Sequence, residues 1–289
     1  MRILITGASG QLGSSLRKTV PPEHEVKALT RAQLDVSRED RVKRAFAEFP
    51  PQVVLNAAAY SAVDKAETDK ARAFAVNADG PEYLARAARQ TGARLIHVST
   101  DFVFDGMQSR PYRVSDARHP LSVYGTSKAQ GEERVQAVLG EEAVIIRTGW
   151  LYAVEDHNFV KTILRLLAER DALNVIADQV GTPTWAMSLA GLTWVIVKRP
   201  EIGGLLHWSD AGVASWYDFA VAIQEEAMNL GLVSKAIPIR PVTTQDYPLP
   251  AKRPCYSVLE KQDTTAQTGV VPSHWRANLR LMLQALSHA

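Results

Sequence analysis

The sequence has little of several features that would indicate particular classes of protein. Cys255 is the only cysteine in 289 residues, so no disulfide can form within the chain, and we expect a cytoplasmic location. The formal net charge of +2 predicts no binding to nucleic acid or to an anionic membrane. No apolar run approaches the roughly 18 residues that span a bilayer, and the N-terminus lacks the layout of a signal peptide.

Metal-binding patterns are also missing. The seven histidines are scattered without the spacing of a metal site, so we predict no metal. Hydrophobic residues make up 46% and charged residues 22%, which is typical of a globular protein. At this length the chain can bury a large core and form one large or two unequal domains.

What the sequence does have is a glycine-rich segment directly after a short apolar run at residues 3–5. Gly7, Gly10 and Gly13 precede a segment with a helical pattern, residues 14–20. Glycine allows a tight turn, a close approach to a pyrophosphate, and close packing of a helix whose N-terminus faces the anion. The spacing predicts a dinucleotide site, with a glycine-rich turn of an ordinary α/β domain as the alternative.

Strand and helix patterns alternate through the first half of the chain. Short apolar runs predict further strands at residues 25–29, 53–55, 95–99 and 144–147, and the intervening segments predict helices at residues 38–49, 71–77 and 81–91. This alternation predicts an α/β fold with a doubly wound parallel Rossmann sheet. Ligands of such sheets bind beyond the carboxyl ends of the strands. Asn56, Thr100 and Trp150 follow strands, so we expect them to share one crevice with Gly7.

The alternation breaks after residue 155, and this break predicts two domains. The first is an NAD(P)-binding Rossmann domain of residues 1–155, to which roughly residues 185–206 return. The second is a smaller, mixed α/β C-terminal domain, residues 156–184 and 207–289, which would bind the substrate.

Tyr124 and Lys128 form the clearest candidate for chemistry. Residues four apart lie on one face of a helix, so the Lys128 ammonium can sit beside the Tyr124 phenol. A positive charge there is expected to lower the pKa of the phenol from about 10, which would suit proton transfer to a substrate oxygen. The spacing alone also occurs by chance on solvated helices, but here it follows a strand that ends at Thr100.

Together these features resemble the extended short-chain dehydrogenase/reductases. Longer strings are similar to the dTDP-4-dehydrorhamnose reductase family, and they lie at residues 54–67, 99–104, 123–128, 147–152, 179–184 and 251–254. The resemblance runs from residue 1 to about 285. It implies reduction of the C4 ketone of a dTDP-4-keto-6-deoxyhexose by NAD(P)H, which gives dTDP-rhamnose.

The resemblance also implies roles for particular residues. Tyr124 would act as general acid, Thr100 would hydrogen-bond the same substrate oxygen, and Lys128 would tune Tyr124 and bond the nicotinamide ribose. The implied cofactor contacts are Gly7, Gly10, Gln11, Leu12, Gly13, Thr30, Arg31, Asp35, Val36, Ala57, Ala58, Ala59, Tyr60, Ser61, Tyr124 and Lys128. The implied substrate contacts are Thr100, Asp101, Tyr124, Trp150 and Arg253.

Each substrate contact has a structural alternative. Thr100 and Asp101 can cap a strand end or a turn, Trp150 can belong to the core, and Arg253 can form a surface ion pair.

The end of the second predicted strand bears on cofactor choice. Sites selective for NAD usually place Asp or Glu there to bond the ribose 2′-hydroxyl. This strand ends with Leu29, Thr30 and Arg31, so no carboxylate would repel a 2′-phosphate and Arg31 could pair with it. We predict a preference for NADPH, with NADH also accepted.

One position departs from the family pattern. Some relatives bind Mg²⁺ at a dimer interface through a glutamate a few residues past the Gly-x-Pro-Thr string, and Met187 stands at the matching place here. Methionine is a poor ligand for a cation that prefers oxygen. We therefore expect no Mg²⁺ there, and both a monomer and a homodimer stay open.

Two other functions remain possible on the sequence. One is a non-catalytic NADP-binding protein that resembles the regulatory subunit of methionine adenosyltransferase, and the other is a ketoreductase for another nucleotide-linked deoxysugar. Thr100, Tyr124 and Lys128 are all present, which favours an enzyme.

Overall fold

The computed structural model describes residues 1–287, and a six-stranded parallel sheet lies at its centre. The strands are β1 (Arg2–Thr6), β2 (Glu25–Leu29), β3 (Val53–Asn56), β4 (Arg94–Thr100), β5 (Val144–Thr148), β6 (Leu151–Tyr152), β7 (Leu173–Ile176), β8 (Val180–Gly181), β9 (Thr184–Trp185), β10 (Gly204–His207), β11 (Ala214–Ser215) and β12 (Ile239–Val242). The helices are α1 (Gln11–Lys18), α2 (Glu39–Glu48), α3 (Val63–Ala66), α4 (Lys70–Phe74), α5 (Gly80–Thr91), α6 (Val123–Leu139), α7 (Phe159–Glu169), α8 (Ala186–Val197), α9 (Trp216–Asn229), α10 (Gln262–Thr268) and α11 (Trp275–Ser287).

The sheet order is β10-β5-β4-β3-β1-β2, and every neighbouring pair is parallel. This arrangement confirms the predicted α/β fold with a parallel sheet. The chain runs from β1 outward to β2 and then crosses back to β3 on the other side of β1. Such a reversal opens a crevice at the carboxyl edge of the sheet.

Alternate residues of each central strand face opposite sides of the sheet. On β1, Leu4 packs in the apolar cluster with Val42 and Leu84 of α2 and α5, whereas its neighbours Ile3 and Ile5 pack in a second cluster on the other face. The second cluster includes apolar residues of α1 and α8. Because helices cover both faces, the central strands contain short apolar runs, and this explains why such runs predicted them.

Helix α1 begins at Gln11, three residues earlier than the predicted start at residue 14. Gly10 is its N-cap residue, and Gly13 lies inside the first turn. A Cβ atom on Gly13 would lie 2.2 Å from the Gly7 carbonyl oxygen, and Gly7 itself has a φ of +67°. The helix therefore starts directly on the loop, and the free N–H groups of its first turn belong to the glycine segment.

The predicted helices at residues 71–77 and 81–91 form one continuous helical run. A π-helical segment, Ala75–Asp79, joins α4 to α5. Its buried Asn77 side chain bonds both the N–H (2.8 Å) and the C=O (3.1 Å) of Tyr60, and donates to the Ser127 hydroxyl (3.0 Å). The wider turn thus connects the loop after β3 to helix α6.

The later part of the chain contributes to the central sheet and to a separate cluster of helices. Helix α8 packs on the central sheet, and β10 pairs with β5 at its edge. Helices α7, α9 and α11 bury a separate apolar cluster, with two-stranded pairs β7–β12, β8–β11 and β6–β9 nearby. Within residues 1–287, no helix is long and apolar enough to cross a membrane.

Candidate active site

A cavity of about 620 Å³ lies at the carboxyl ends of β1, β3, β4 and β5. It brings together most of the residues predicted from the sequence: Gly7, Gly10, Gln11, Leu12, Arg31, Asp35, Val36, Ala57, Ala58, Ala59, Ser61, Thr100, Asp101, Tyr124, Lys128, Trp150 and Arg253. Gly13, Thr30 and Tyr60 do not line it. Gly13 packs on Gly7, Thr30 bonds Gln33, and Tyr60 donates its hydroxyl to Asp69 (3.1 Å).

The glycine loop forms one end of the cavity. The positive φ of Gly7 turns the chain where a Cβ atom would meet the backbone of Ala57 and Ala58 at 2.6–2.7 Å. Gln11 and Leu12, at the start of α1, line the cavity beside it. Backbone N–H groups and the positive end of a helix suit a pyrophosphate. The backbone here fits a dinucleotide.

Asp35 and Arg31 lie at the same end of the cavity. Asp35 accepts hydrogen bonds from Arg72 (2.6 Å) and Ser37 (2.7 Å). Partial burial raises its pKa, but these bonds outweigh that effect and lower it below the usual value. Arg31 is exposed and forms no ion pair with any residue in the described range 1–287. The Asp35 charge is therefore compensated by Arg72, and Arg31 is available to an anion.

Helix α6 carries Tyr124 and Lys128 to the centre of the cavity. Its N-cap Ser122 accepts a bond from the Gly125 N–H (3.1 Å). A Cβ atom on Gly125 would lie 2.3 Å from the Phe102 carbonyl oxygen, so glycine lets the helix pack directly on the segment that follows β4. The strand β4 ends at Thr100, which lines the cavity together with Tyr124.

The predicted lowering of the Tyr124 pKa by Lys128 is wrong for this arrangement. Burial raises the pKa of the phenol to about 12, and the neighbouring Thr100 hydroxyl opposes this only in part. The Lys128 ammonium donates to the Val98 carbonyl (2.6 Å) and is almost fully buried. Burial lowers the pKa of Lys128 to about 8. Desolvation is thus the largest effect on the pKa of both groups.

Thr100 and Asp101 combine capping with a place in the cavity. The Thr100 hydroxyl accepts from the Phe102 N–H (3.2 Å) and donates to Asp101 (3.1 Å). Asp101 is 2% exposed, and burial raises its pKa to about 6 although hydrogen bonding to its carboxylate opposes this. The capping alternative therefore holds for Thr100, alongside its place in the cavity beside Tyr124.

Trp150 lines the cavity and is only half-buried. It has a φ of +52°, which is rare for a bulky residue and marks local strain. Its ring stacks on Trp216 with centroids 3.5 Å apart and planes 1° from parallel. The Trp216 indole N–H donates to Gln179 (3.2 Å). Sequence reasoning missed Trp216, because nothing local signals that α9 brings it to Trp150.

Arg253 lines the cavity within an ion pair. Its guanidinium bonds both carboxylate oxygens of Asp64 (2.7 and 3.0 Å), and the Ala251 N–H donates to the same carboxylate (3.1 Å). Hydrogen bonding to Arg253 lowers the pKa of Asp64. The ion-pair alternative is therefore what the structure contains, and contact with a substrate phosphate stays a prediction.

Other residues reach the cavity without having been predicted. They include Ser9, Leu34, Val63, Val76, Val98, Ser99, Phe102, Thr148, Gly149, Leu151, Asp156, His157 and Trp216. Over residues 1–287, no group of three or more His, Cys, Asp or Glu side chains could hold a metal ion. Met187 lies half-buried on α8.

A Rossmann sheet with a glycine loop and a Tyr/Lys pair in one cavity defines a Rossmann-type oxidoreductase. The model of the family described as the RmlD substrate binding domain matches residues 1–288, and the chain belongs to this family. This match confirms the resemblance seen in the sequence strings.

Similar proteins cover the whole chain. The chain is 42% identical over 286 residues to a dTDP-4-dehydrorhamnose reductase of Aggregatibacter actinomycetemcomitans, covering 96% of this chain and 97% of the relative. It is 42% identical over 283 residues to a probable dTDP-4,6-dihydroxy-2-methyloxan-3-one 4-ketoreductase of Streptomyces antibioticus, covering 97% and 94%. The crystal structure of a dTDP-4-dehydrorhamnose reductase from Bacillus anthracis in complex with NADP has a TM-score of 0.93 and 32% identity, covering 98% and 99%.

Proposed function

We propose that this chain is an NADPH-dependent reductase of dTDP-4-dehydrorhamnose that forms dTDP-rhamnose. The observation that carries the proposal is that Thr100, Tyr124 and Lys128 line the same cavity as the glycine loop. Relatives named dTDP-4-dehydrorhamnose reductase, similar over nearly the whole chain, support the substrate. Residues 156–184 and 207–289 would form the part that binds the sugar nucleotide.

Tyr124 is the general acid in this proposal. Because its pKa is about 12, the phenol keeps its proton at neutral pH and can donate it as negative charge develops on the C4 oxygen. Thr100 bonds the same oxygen and orients the phenol. The nicotinamide supplies the hydride when it is bound. The Lys128 ammonium, fixed on the Val98 carbonyl, would hold the ribose of a bound cofactor and stabilise the phenolate left after transfer.

The remaining predicted contacts follow the shape of the cavity. Gly10, Gln11 and Leu12 would bind the pyrophosphate, and Asp35 and Val36 would border the adenine. On the substrate side, the list of proposed contacts is Asp101, Trp150 and Arg253, all of which line the same cavity.

Turnover tests the proton donor. NADPH oxidation is measured with a panel of dTDP- and UDP-linked 4-keto-6-deoxy sugars, for wild type and Tyr124→Phe. Loss of a general acid is expected to lower kcat by roughly 10²-fold or more. Tyr247→Phe is the control, because Tyr247 is 52% exposed and outside the cavity. Full turnover of Tyr124→Phe with every active sugar would remove Tyr124 from the mechanism.

The same panel separates the second candidate function, a ketoreductase for another deoxysugar. The similarity to the Streptomyces antibioticus protein favours this candidate. It predicts faster turnover with a sugar other than the rhamnose precursor. A non-catalytic NADP-binding protein would oxidise NADPH with none of them, and the presence of Thr100, Tyr124 and Lys128 in one cavity argues against it.

Cofactor preference rests on Arg31. Its guanidinium would pair with the 2′-phosphate of NADPH, so Arg31→Ala should raise the KM for NADPH about tenfold and leave the KM for NADH nearly unchanged. Arg38→Ala is the control, because Arg38 is exposed, pairs with Asp40 and does not line the cavity. An unchanged ratio of the two KM values in Arg31→Ala would exclude this role.

A further inference from the structure

Glu132 lies on α6 one turn after Lys128 and two turns after Tyr124, on the same face of the helix. Its side chain is fully buried, outside the cavity lining. Arg147 of β5, which is 1% exposed, forms a two-point ion pair with it: Nε to Oε1 at 2.9 Å and one terminal nitrogen to Oε2 at 2.7 Å. Arg147 is not the only partner of this buried carboxylate.

Two further bonds join the carboxylate to other segments. The Ser99 hydroxyl of β4 donates to Oε1, and Arg118, from the loop before α6, donates to Oε2 (3.2 Å). Ser99 directly precedes Thr100, and Arg147 directly precedes the segment that ends at Trp150. One carboxylate therefore contacts the ends of both strands that carry predicted site residues, from the helix that carries Tyr124.

We propose that Glu132 is a positioning residue, which fixes α6 against the carboxyl ends of β4 and β5 so that Tyr124 and Thr100 share one substrate oxygen. The proposal rests on the function proposed above for these residues. Replacing a buried ion pair by apolar groups is often neutral or stabilising, so stability alone gives little reason for an ion pair here. Its place on the helix that carries Lys128, with bonds to the strands that end at Thr100 and Thr148, supplies one.

The charge of Glu132 acts on Lys128 as well. Burial lowers the pKa of Lys128 to about 8, and Glu132 opposes this. Burial and the Arg147 charge lower the pKa of His207 to about 3, and burial lowers that of His97 far below its usual value, so both are neutral near pH 7. The other ionisable groups around Glu132 and Lys128 are Arg118, Tyr124, Glu133, Arg147 and Asp101.

The pH profile separates positioning from simple stabilisation. A lysine that must stay protonated loses function as the pH rises through its pKa, and removing the Glu132 charge lowers that pKa. Glu132→Gln should therefore move the alkaline limb of kcat/KM down by about one pH unit and lower kcat about tenfold. The control is Glu226→Gln. Glu226 is 1% exposed, is paired with Arg276 and Arg280, and lies on α9 outside the cavity lining. Equal effects of both variants on kcat and on the alkaline limb would overturn the proposal.

Two milder variants keep the proposal testable where Glu132→Gln fails to fold. Ser99→Ala removes one bond without leaving a buried charge unpaired, and Glu132→Asp keeps the charge but shortens its reach. Both should lower kcat about three- to tenfold with the alkaline limb unchanged. Wild-type kcat in both would overturn the proposal.

A binding measurement distinguishes failure of this inference from failure of the proposed function. NADPH fluorescence titrations from pH 6 to 10 need no turnover. If wild type reduces none of the sugars, the proposed function fails, but Glu132→Gln should still shift the alkaline limb of NADPH binding. An unshifted binding limb in Glu132→Gln would refute the electrostatic part regardless of turnover.

Discussion

Burial governs the charge of the single residues around Tyr124. The Asp101 carboxyl group is almost completely buried, and this burial raises its pKa from 3.8 to about 6. The folded state therefore binds this proton more tightly than the unfolded chain does. The group favours folding at low pH, and that contribution is lost as the pH rises through about 6.

Asp101→Asn should therefore stabilise the protein at pH 8. The ionised carboxylate costs up to about 3 kcal/mol there, because each pKa unit is worth about 1.4 kcal/mol, and an amide avoids this cost. We expect a gain of about 1–3 kcal/mol at pH 8 and a much smaller one at pH 3, measured by urea unfolding.

Asp35→Asn is the matched control with the opposite sign. Hydrogen bonds from Arg72 and Ser37 lower the pKa of Asp35, so its ionised form favours folding above its unfolded pKa. This variant should be destabilised at pH 8 and less affected near pH 3. A loss of stability for Asp101→Asn at pH 8 would mean that hydrogen bonding to the carboxylate, such as the bond from Thr100, outweighs desolvation.

At the scale of elements, the close contact between α1 and the glycine loop provides a sharp test of the proposed cofactor site. A methyl group on Gly13 would meet the Gly7 carbonyl at 2.2 Å, and backbone cannot yield as a side chain does. Gly13→Ala should cost about 1–3 kcal/mol and weaken NADPH binding at least about tenfold, by chemical unfolding and fluorescence titration.

Gly191→Ala provides the comparison on α8. Gly191 is exposed within the helix, and nothing lies within 4 Å of a Cβ atom added there. Alanine should stabilise the helix by about 0.5–1 kcal/mol and leave NADPH binding unchanged. Equal NADPH affinity in Gly13→Ala and Gly191→Ala would show that the close approach at Gly13 is unimportant for the cofactor.

Helices and strands were predictable from the sequence where the local pattern of apolar residues determines them. Most strands of the central sheet are largely buried, and apolar runs such as residues 53–55 marked β1 to β5 within about a residue, whereas β10 was not predicted. The start of α1 was missed because Gly13 looks like loop, whereas contact with Gly7 makes it helix. The π-helical segment was missed because Asn77 owes its place to Tyr60 and Ser127, which are distant in sequence.

The candidate site was predictable for a similar reason. Residues directly after strands, such as Thr100 and Trp150, had to meet at the carboxyl edge of a parallel sheet. Trp216 and Glu132 were not found, because each owes its place to a residue distant in sequence. Trp216, the first residue of α9, stacks on Trp150, and Glu132 pairs with Arg147 outside the cavity lining. Charge states were harder still, since the pKa of Tyr124 depends on burial that only the fold determines.

For the whole molecule, the stack of Trp150 on Trp216 joins the Rossmann part to the proposed substrate-binding part. Both rings line the cavity, and an indole face suits the apolar face of a sugar or a base. Trp216→Ala should raise the KM for the sugar nucleotide about tenfold and change the KM for NADPH less than about twofold, because the cofactor end lies on β1 and β3. Trp216→Phe keeps an aromatic ring and should recover most of the affinity. Equal increases in both KM values for Trp216→Ala would show that the stack supports the fold rather than the substrate.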